Sequence, residues 1–117
     1  MRLNRLQHVA VTALEDIKAR DITVLDVRKL TSLYDTLIIA SADSARQVKA
    51  LAQHVRDNLK EAGATIIGVE GEEGGEWVLI DAGDIVVHVM QPSVRAYYNL
   101  EELWAPARRA KTARAAA

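Results

Sequence analysis

A chain of 117 residues, half of them apolar and 26% charged, is sized for one compact domain and too short for two independent cores. Fifteen basic against 16 acidic residues leave a formal charge of -1, which excludes a global field drawing the chain to nucleic acid or to an anionic membrane. Cysteine is absent, which excludes disulfides, thiol catalysis and thiolate metal sites, and the composition suits a reducing compartment, so the cytoplasm is the expected location.

Residues 1–5 alternate charge with Leu, and no stretch approaches the roughly 18 apolar residues of a bilayer span, so neither an export signal nor a membrane segment is expected. Leu3, Leu6, Val9, Ala10, Ala13, Leu14 and Ile17 recur at three- and four-residue steps, the period of an amphipathic helix. Residues 22–27 and 35–40 are β-branched and aliphatic runs that predict strands, the second more deeply buried. Ser44-Ala45-Arg46-Gln47 has the spacing of a capping box and predicts a helix through Val48, Leu51, Ala52, Val55 and Leu59 that stops at Gly63. A short strand over 66–70 is followed by a glycine- and glutamate-rich stretch, 71–75, expected to loop through solvent. Strands over 76–81 and 84–90 then flank Ala82-Gly83, and Pro92 suits the first turn of a helix reaching Trp104. Beyond it, residues 105–117 are basic and Ala/Arg-rich with no large apolar anchor, and disorder is expected there. The element order implies an α/β domain over 1–104: one mixed β-sheet flanked by helices.

The hairpin is the most informative stretch. With Ala82-Gly83 as a two-residue loop, Asp81 opposes Asp84, Leu79 opposes Val86, and Trp77 opposes His88. One face then holds Val78, Ile80, Ile85, Val87 and Val89 and belongs to the core. The other holds Trp77, Leu79, Asp81, Asp84, Val86 and His88, a mixture that is costly to leave wet and costly to bury. Two readings stay open: a partner protein covers this face, or a helix of the same chain covers its apolar half.

Catalytic constellations are thin. In this register His88 lies roughly 13 Å along the strand from Asp84, too far to share a metal ion. Ser41 and Ser44, at a strand end and a helix start, are the place for an anion or a nucleophile, and with Asp81 or Asp84 they form the enzymatic alternative, a nucleotide- or phosphate-binding site. Capping already accounts for Ser44, and no nucleophile elbow, Walker loop or paired Mg²⁺ aspartates accompany it. Arg46, Lys49, Gln53, Arg56 and Lys60 align along the second helix as a basic stripe, most simply a solvated face. No catalytic, cofactor or metal residue is expected.

Over residues 12–104 the chain closely resembles the bacterial ribosomal silencing factor family, also called Iojap-like. The residues that carry it are Leu25-Asp26-Val27-Arg28, Thr31-Ser32 with Asp35, Ser44 to Val48, Gly68-Val69-Glu70-Gly71, the run from Glu76 to Met90, and Leu100-Glu101-Glu102-Leu103-Trp104. The resemblance implies a nucleotidyltransferase-like fold that has lost its catalytic parts. It also implies a translational repressor that binds the large ribosomal subunit through ribosomal protein L-fourteen, blocks joining of the small subunit and helps large-subunit biogenesis. Some relatives are dimers in isolation, and a peripheral contact of the basic tail with ribosomal RNA is left open. Carried over by position, the partner surface comprises Trp77, Leu79, Asp81, Asp84, Val86 and His88, with Tyr98, Leu100, Glu101 and Trp104 nearby. Ala42-Asp43 departs from the Gly-Thr or similar pair that many relatives place before the capping Ser, which puts an inherited phosphate role for that loop in doubt.

Overall fold

The computed structural model describes residues 2–109, with side chains from Arg5 onward except that of Arg108. Helix α1 (Arg2–Asp16) buries Leu6, Ala10, Val11, Ala13 and Leu14, and α2 (Ala45–Glu61) buries Val48, Leu51, Ala52, Val55 and Leu59, as their periodicity requires. At the start of α2 the Ser44 hydroxyl accepts the Gln47 N–H at 3.1 Å, while Gln47 Oε1 accepts the Asp43 N–H at 3.0 Å. The Gln47 amide nitrogen also donates to the Ile17 carbonyl at 3.1 Å, so one side chain ties the end of α1 to the start of α2. At the far end, Gly63 N–H donates to Lys60 C=O and Ala64 N–H to Leu59 C=O, a Schellman closure of the anticipated stop. Ser44→Ala is expected to cost about 1 kcal/mol of unfolding free energy, read from urea denaturation of both proteins.

Strands β1 (Arg20–Asp26), β2 (Thr36–Ser41), β3 (Gly68–Glu70), β4 (Trp77–Asp81), β5 (Ile85–Met90) and β6 (Arg108–Arg109) form one sheet in the order β3-β4-β5-β2-β1-β6. Only the central β2–β5 pair is parallel. All six residues of β2 are buried, because each face of this strand is covered by a different layer. On one face α1 and α2 pack over Val24, Ile38, Ala40, Val78, Ile80, Ile85, Val87 and Val89. On the other lie Leu25, Leu37, Ile39, Val86 and Met90, against Val94, Leu100, Trp104 and Ala107 of the C-terminal segment.

The structure corrects several expectations. Ala82 N–H donates to Ile85 C=O at 2.9 Å, so the two-residue turn is Gly83-Asp84 rather than Ala82-Gly83. Asp81 therefore opposes Val86, Leu79 opposes His88 and Trp77 opposes Met90, a register displaced by two residues. An even displacement leaves every side chain on its assigned face, but it removes the confrontation of Asp81 with Asp84. The turn settles there because Gly83, at φ +85°, is its first central residue and donates its N–H to the Asp81 carboxylate at 2.9 Å.

The helix expected from Pro92 to Trp104 is broken into α3 (Pro92–Tyr98) and α4 (Leu100–Leu103) by Asn99, which stands in the left-handed region at φ 48° and ψ 58°. Within the stretch 105–117, where disorder is expected, Arg108–Arg109 pair with Leu25–Asp26; the rest of that tail, 110–117, lies outside the described residues. The loop after β3 is not wholly in solvent either: Gly75 is buried, and a Cβ on it would meet that of Ala45 at 2.7 Å. Among the described residues no helix is long and apolar enough to cross a membrane.

Candidate docking face

Strands β4 and β5 present Trp77, Leu79, Asp81, Val86 and His88 on the face turned away from α1 and α2, since alternate residues of a strand point to opposite sides. The Trp77 indole N–H donates to His88 Nδ1 at 2.9 Å, and the Trp77 ring lies 4.9 Å from that of Tyr98, which in turn meets Tyr97 edge-on at 5.0 Å. An aromatic chain thus runs from His88 inside the face to the exposed Tyr97. The close backbone approach at Gly71 helps to seat it, because a Cβ there would fall 2.0 Å from the Trp77 carbonyl oxygen.

Beside the aromatic chain is an open depression of about 490 Å³ lined by Leu79, Asp81, Gly83, Asp84, Val86 and His88, and completed by Leu33, Tyr34 and Ile67. Leu33 and Ile67 are 79% and 66% exposed, large aliphatic side chains held in water at the rim of a half-apolar hollow. Sequence reading missed both. Leu33 is an aliphatic residue in a Thr-Ser turn and Ile67 belongs to the Ile66-Ile67 start of a strand run, and neither pattern singles out an exposed side chain.

The expected site residues divide into two groups. Trp77, Leu79, Asp81, Asp84, Val86, His88 and Tyr98 come together on the open half of the face. Leu100 and Trp104 pack inward on the covered half, where Trp104 meets Tyr34 at 6.1 Å, and Glu101 is held by Arg95 at 2.7 Å. The chain covers its own β1–β2 side of this face and leaves the β4–β5 side open.

Burial depresses the His88 pKa to about 4, so its ring is neutral near pH 7. The indole can only donate, which makes Nδ1 the acceptor and places the His88 proton on Nε2. Burial, and then the nearby Asp81 carboxylate, raise the Tyr34 pKa and keep its hydroxyl protonated. For Glu101 burial acts upward, but the hydrogen bonds and charge of Arg95 outweigh it and the pKa is lowered.

The enzymatic constellation is not assembled. Ser41 pairs with Met90 and Thr36 with Ile85, so the Ser41–Ser44 corner and the Asp81–Asp84 turn lie at opposite ends of the central strands, roughly 13–16 Å apart. The Ser41 hydroxyl accepts from Arg95 at 2.8 Å, and Asp43 is joined to Arg20. Among the described residues no three His, Asp or Glu side chains converge on a metal position. Arg46, Lys49 and Lys60 are exposed on α2, in the other layer of the molecule.

A model of the family described as ribosomal silencing factor during starvation matches residues 1–117, the entire chain. The chain belongs to this family. The ribosomal silencing factor of Chromobacterium violaceum is 59% identical to it over 104 residues, covering 89% of this chain and 85% of the relative. A crystal structure of a protein from the same organism superposes with a TM-score of 0.88 at 55% identity, over 97% of this chain and 93% of the other. More distantly, the mouse protein named mitochondrial assembly of ribosomal large subunit protein 1 is 32% identical over 97 residues, which span 80% of this chain and 42% of the mouse protein. The family read from the motifs of residues 12–104 is thereby shown, and its match extends to both ends of the chain. The mixed-sheet α/β fold is shared with a solved structure of high identity.

Proposed function

We propose that this chain is a translational repressor that binds the large ribosomal subunit through ribosomal protein L-fourteen and sterically blocks joining of the small subunit, with a second role in large-subunit assembly. The carrying observation is the half-open sheet face, where Leu79, Val86 and His88 form a hollow rimmed by the exposed Leu33 and Ile67. A lone domain has no stabilising reason to hold those two side chains in water, whereas a protein partner would bury them together with the aromatic chain. Membership of the silencing family supports the ribosome as the place where that partner is found, and the name of the mouse relative supports assembly of the large subunit. The mechanism is occupancy: Leu79, Val86 and Trp77 supply apolar contact, Asp81 and Asp84 set orientation, and the bulk of the domain excludes the other subunit. The repressor turns nothing over, needs no cofactor and acts in the cytoplasm, where its target is. In free protein a second copy can cover the same hollow, which light scattering detects as a doubled mass.

The test is sedimentation of the protein with separated large subunits, followed by addition of small subunits. Wild type is expected to co-sediment and prevent joining. The double variant Leu33→Ser, Ile67→Ser is expected to keep its thermal midpoint, because both positions are exposed, and to bind about tenfold more weakly. Wild-type protein left in the supernatant would remove ribosome binding as the function; equal affinity of the double variant would remove this face.

A further inference from the structure

The α3–α4 segment crosses the covered half of the sheet, where Val94 and Leu100 pack against it only partly buried and neither helix has a fully buried residue. Arg95, in the last turn of α3, is only 12% exposed in its side chain. Its Nε and Nη2 donate to Glu101 Oε2 at 3.0 and 2.7 Å, Nη2 also donates to Thr23 Oγ1 at 3.1 Å, and Nη1 donates to Ser41 Oγ at 2.8 Å and to the Asp21 carbonyl at 2.7 Å. These acceptors come from α4, β2 and the irregular start of β1, where Asp21 adopts φ +51°. A guanidinium carries five N–H donors in a rigid fork, so the donors and contacts match in number; the three donors of a Lys ammonium would leave acceptors unfilled.

We propose that Arg95 is a positioning residue, the clamp that fixes the broken C-terminal helix to the β1–β2 end of the sheet and so sets Tyr98 against Trp77. The aromatic end of the docking face is then shaped from the opposite side of the sheet face, by a residue that does not belong to it. Its consequence for binding rests on the docking reading above, but the clamp can be tested without the ribosome. The two tryptophans of the chain both report on this segment, Trp77 through Tyr98 and Trp104 through its own packing against the sheet at the end of α4. Amide exchange at Ile38, Leu51 and Val55 reports instead on the helix-covered core.

Full-length Arg95→Lys is compared with wild type by acrylamide quenching of tryptophan emission, amide exchange and affinity for large subunits. The clamp predicts stronger quenching and a red-shifted emission, unchanged protection of the core amides, and affinity lower by about tenfold. Glu101→Gln keeps an acceptor oxygen but loses the charge, and is expected to give a smaller change of the same kind. Unchanged quenching in both variants would overturn the clamp. Core protection lost in step with the quenching would overturn it too, because Arg95 would then support the whole fold and position nothing in particular. Looser tryptophans with undiminished affinity would overturn its role in docking. Should wild type itself fail to bind subunits while the quenching result holds, the docking reading falls and the clamp stands.

Discussion

Trp77→Ala is expected to weaken association with the large ribosomal subunit by about 2 kcal/mol, close to 30-fold, and to lower the unfolding free energy by a similar amount. The binding loss follows from the proposed docking face, where a large half-buried ring stands between the hollow and the exposed tyrosines. The stability loss follows from its contacts within the chain: the indole packs on Tyr98 and satisfies His88 Nδ1, and truncation leaves that nitrogen without its donor. Trp77→Phe separates the two, since it retains a ring against Tyr98 while deleting the N–H. Affinity from subunit titrations and stability from urea denaturation are both needed. Lys49→Ala, in the other layer of the molecule, is the control and should change neither by more than about 0.5 kcal/mol. Equal losses of affinity from Trp77→Ala and Lys49→Ala would move the docking surface to the basic stripe of α2.

His88 makes stability depend on acid. Its pKa is pushed down to about 4 in the fold and returns to an ordinary value near 6.5 on unfolding. Above about pH 6.5 both states hold the neutral ring and this group adds no pH dependence. As pH falls below that value the unfolded chain gains a proton that the native chain refuses, so stability declines, approaching a total loss of about 3 kcal/mol near pH 4. Protonation of Nδ1 would also turn the acceptor of the Trp77 indole into a second donor. Glu101, whose pKa is lowered, loses its contribution only as pH drops through the carboxylate range, so the interval from pH 6.5 to 4.5 is the informative one. Unfolding free energies across that interval should slope for wild type and be flatter for His88→Gln. Parallel slopes would show that His88 binds its proton equally in the native and unfolded protein and that burial does not depress its pKa.

What the sequence determined by itself is the part governed by short-range rules. Helical spacing identified α1 and α2, the Ser44–Gln47 box and the Gly63 stop bounded α2, and strict alternation sorted Val78, Ile80, Ile85, Val87 and Val89 onto the core face. That sorting survived an error in the hairpin turn because side-chain direction has a period of two, and the register moved by two. Family motifs spread along the chain likewise needed no coordinates to be recognised. Tertiary structure decided whatever depends on residues far apart in the chain. The turn slid to Gly83-Asp84, where the Asp84 carbonyl accepts from Asp35 and Thr36 across the sheet, contacts that no local pattern encodes. Asn99 broke a helix that propensity would have continued, and Arg95 reached back more than 50 residues to Ser41 and more than 70 to Asp21 and Thr23. The division of the second sheet face into a covered and an open half arises from that placement, and Leu33 and Ile67 stand exposed at the rim of the open half: packing chooses which apolar surface is buried, while alternation only says that it exists.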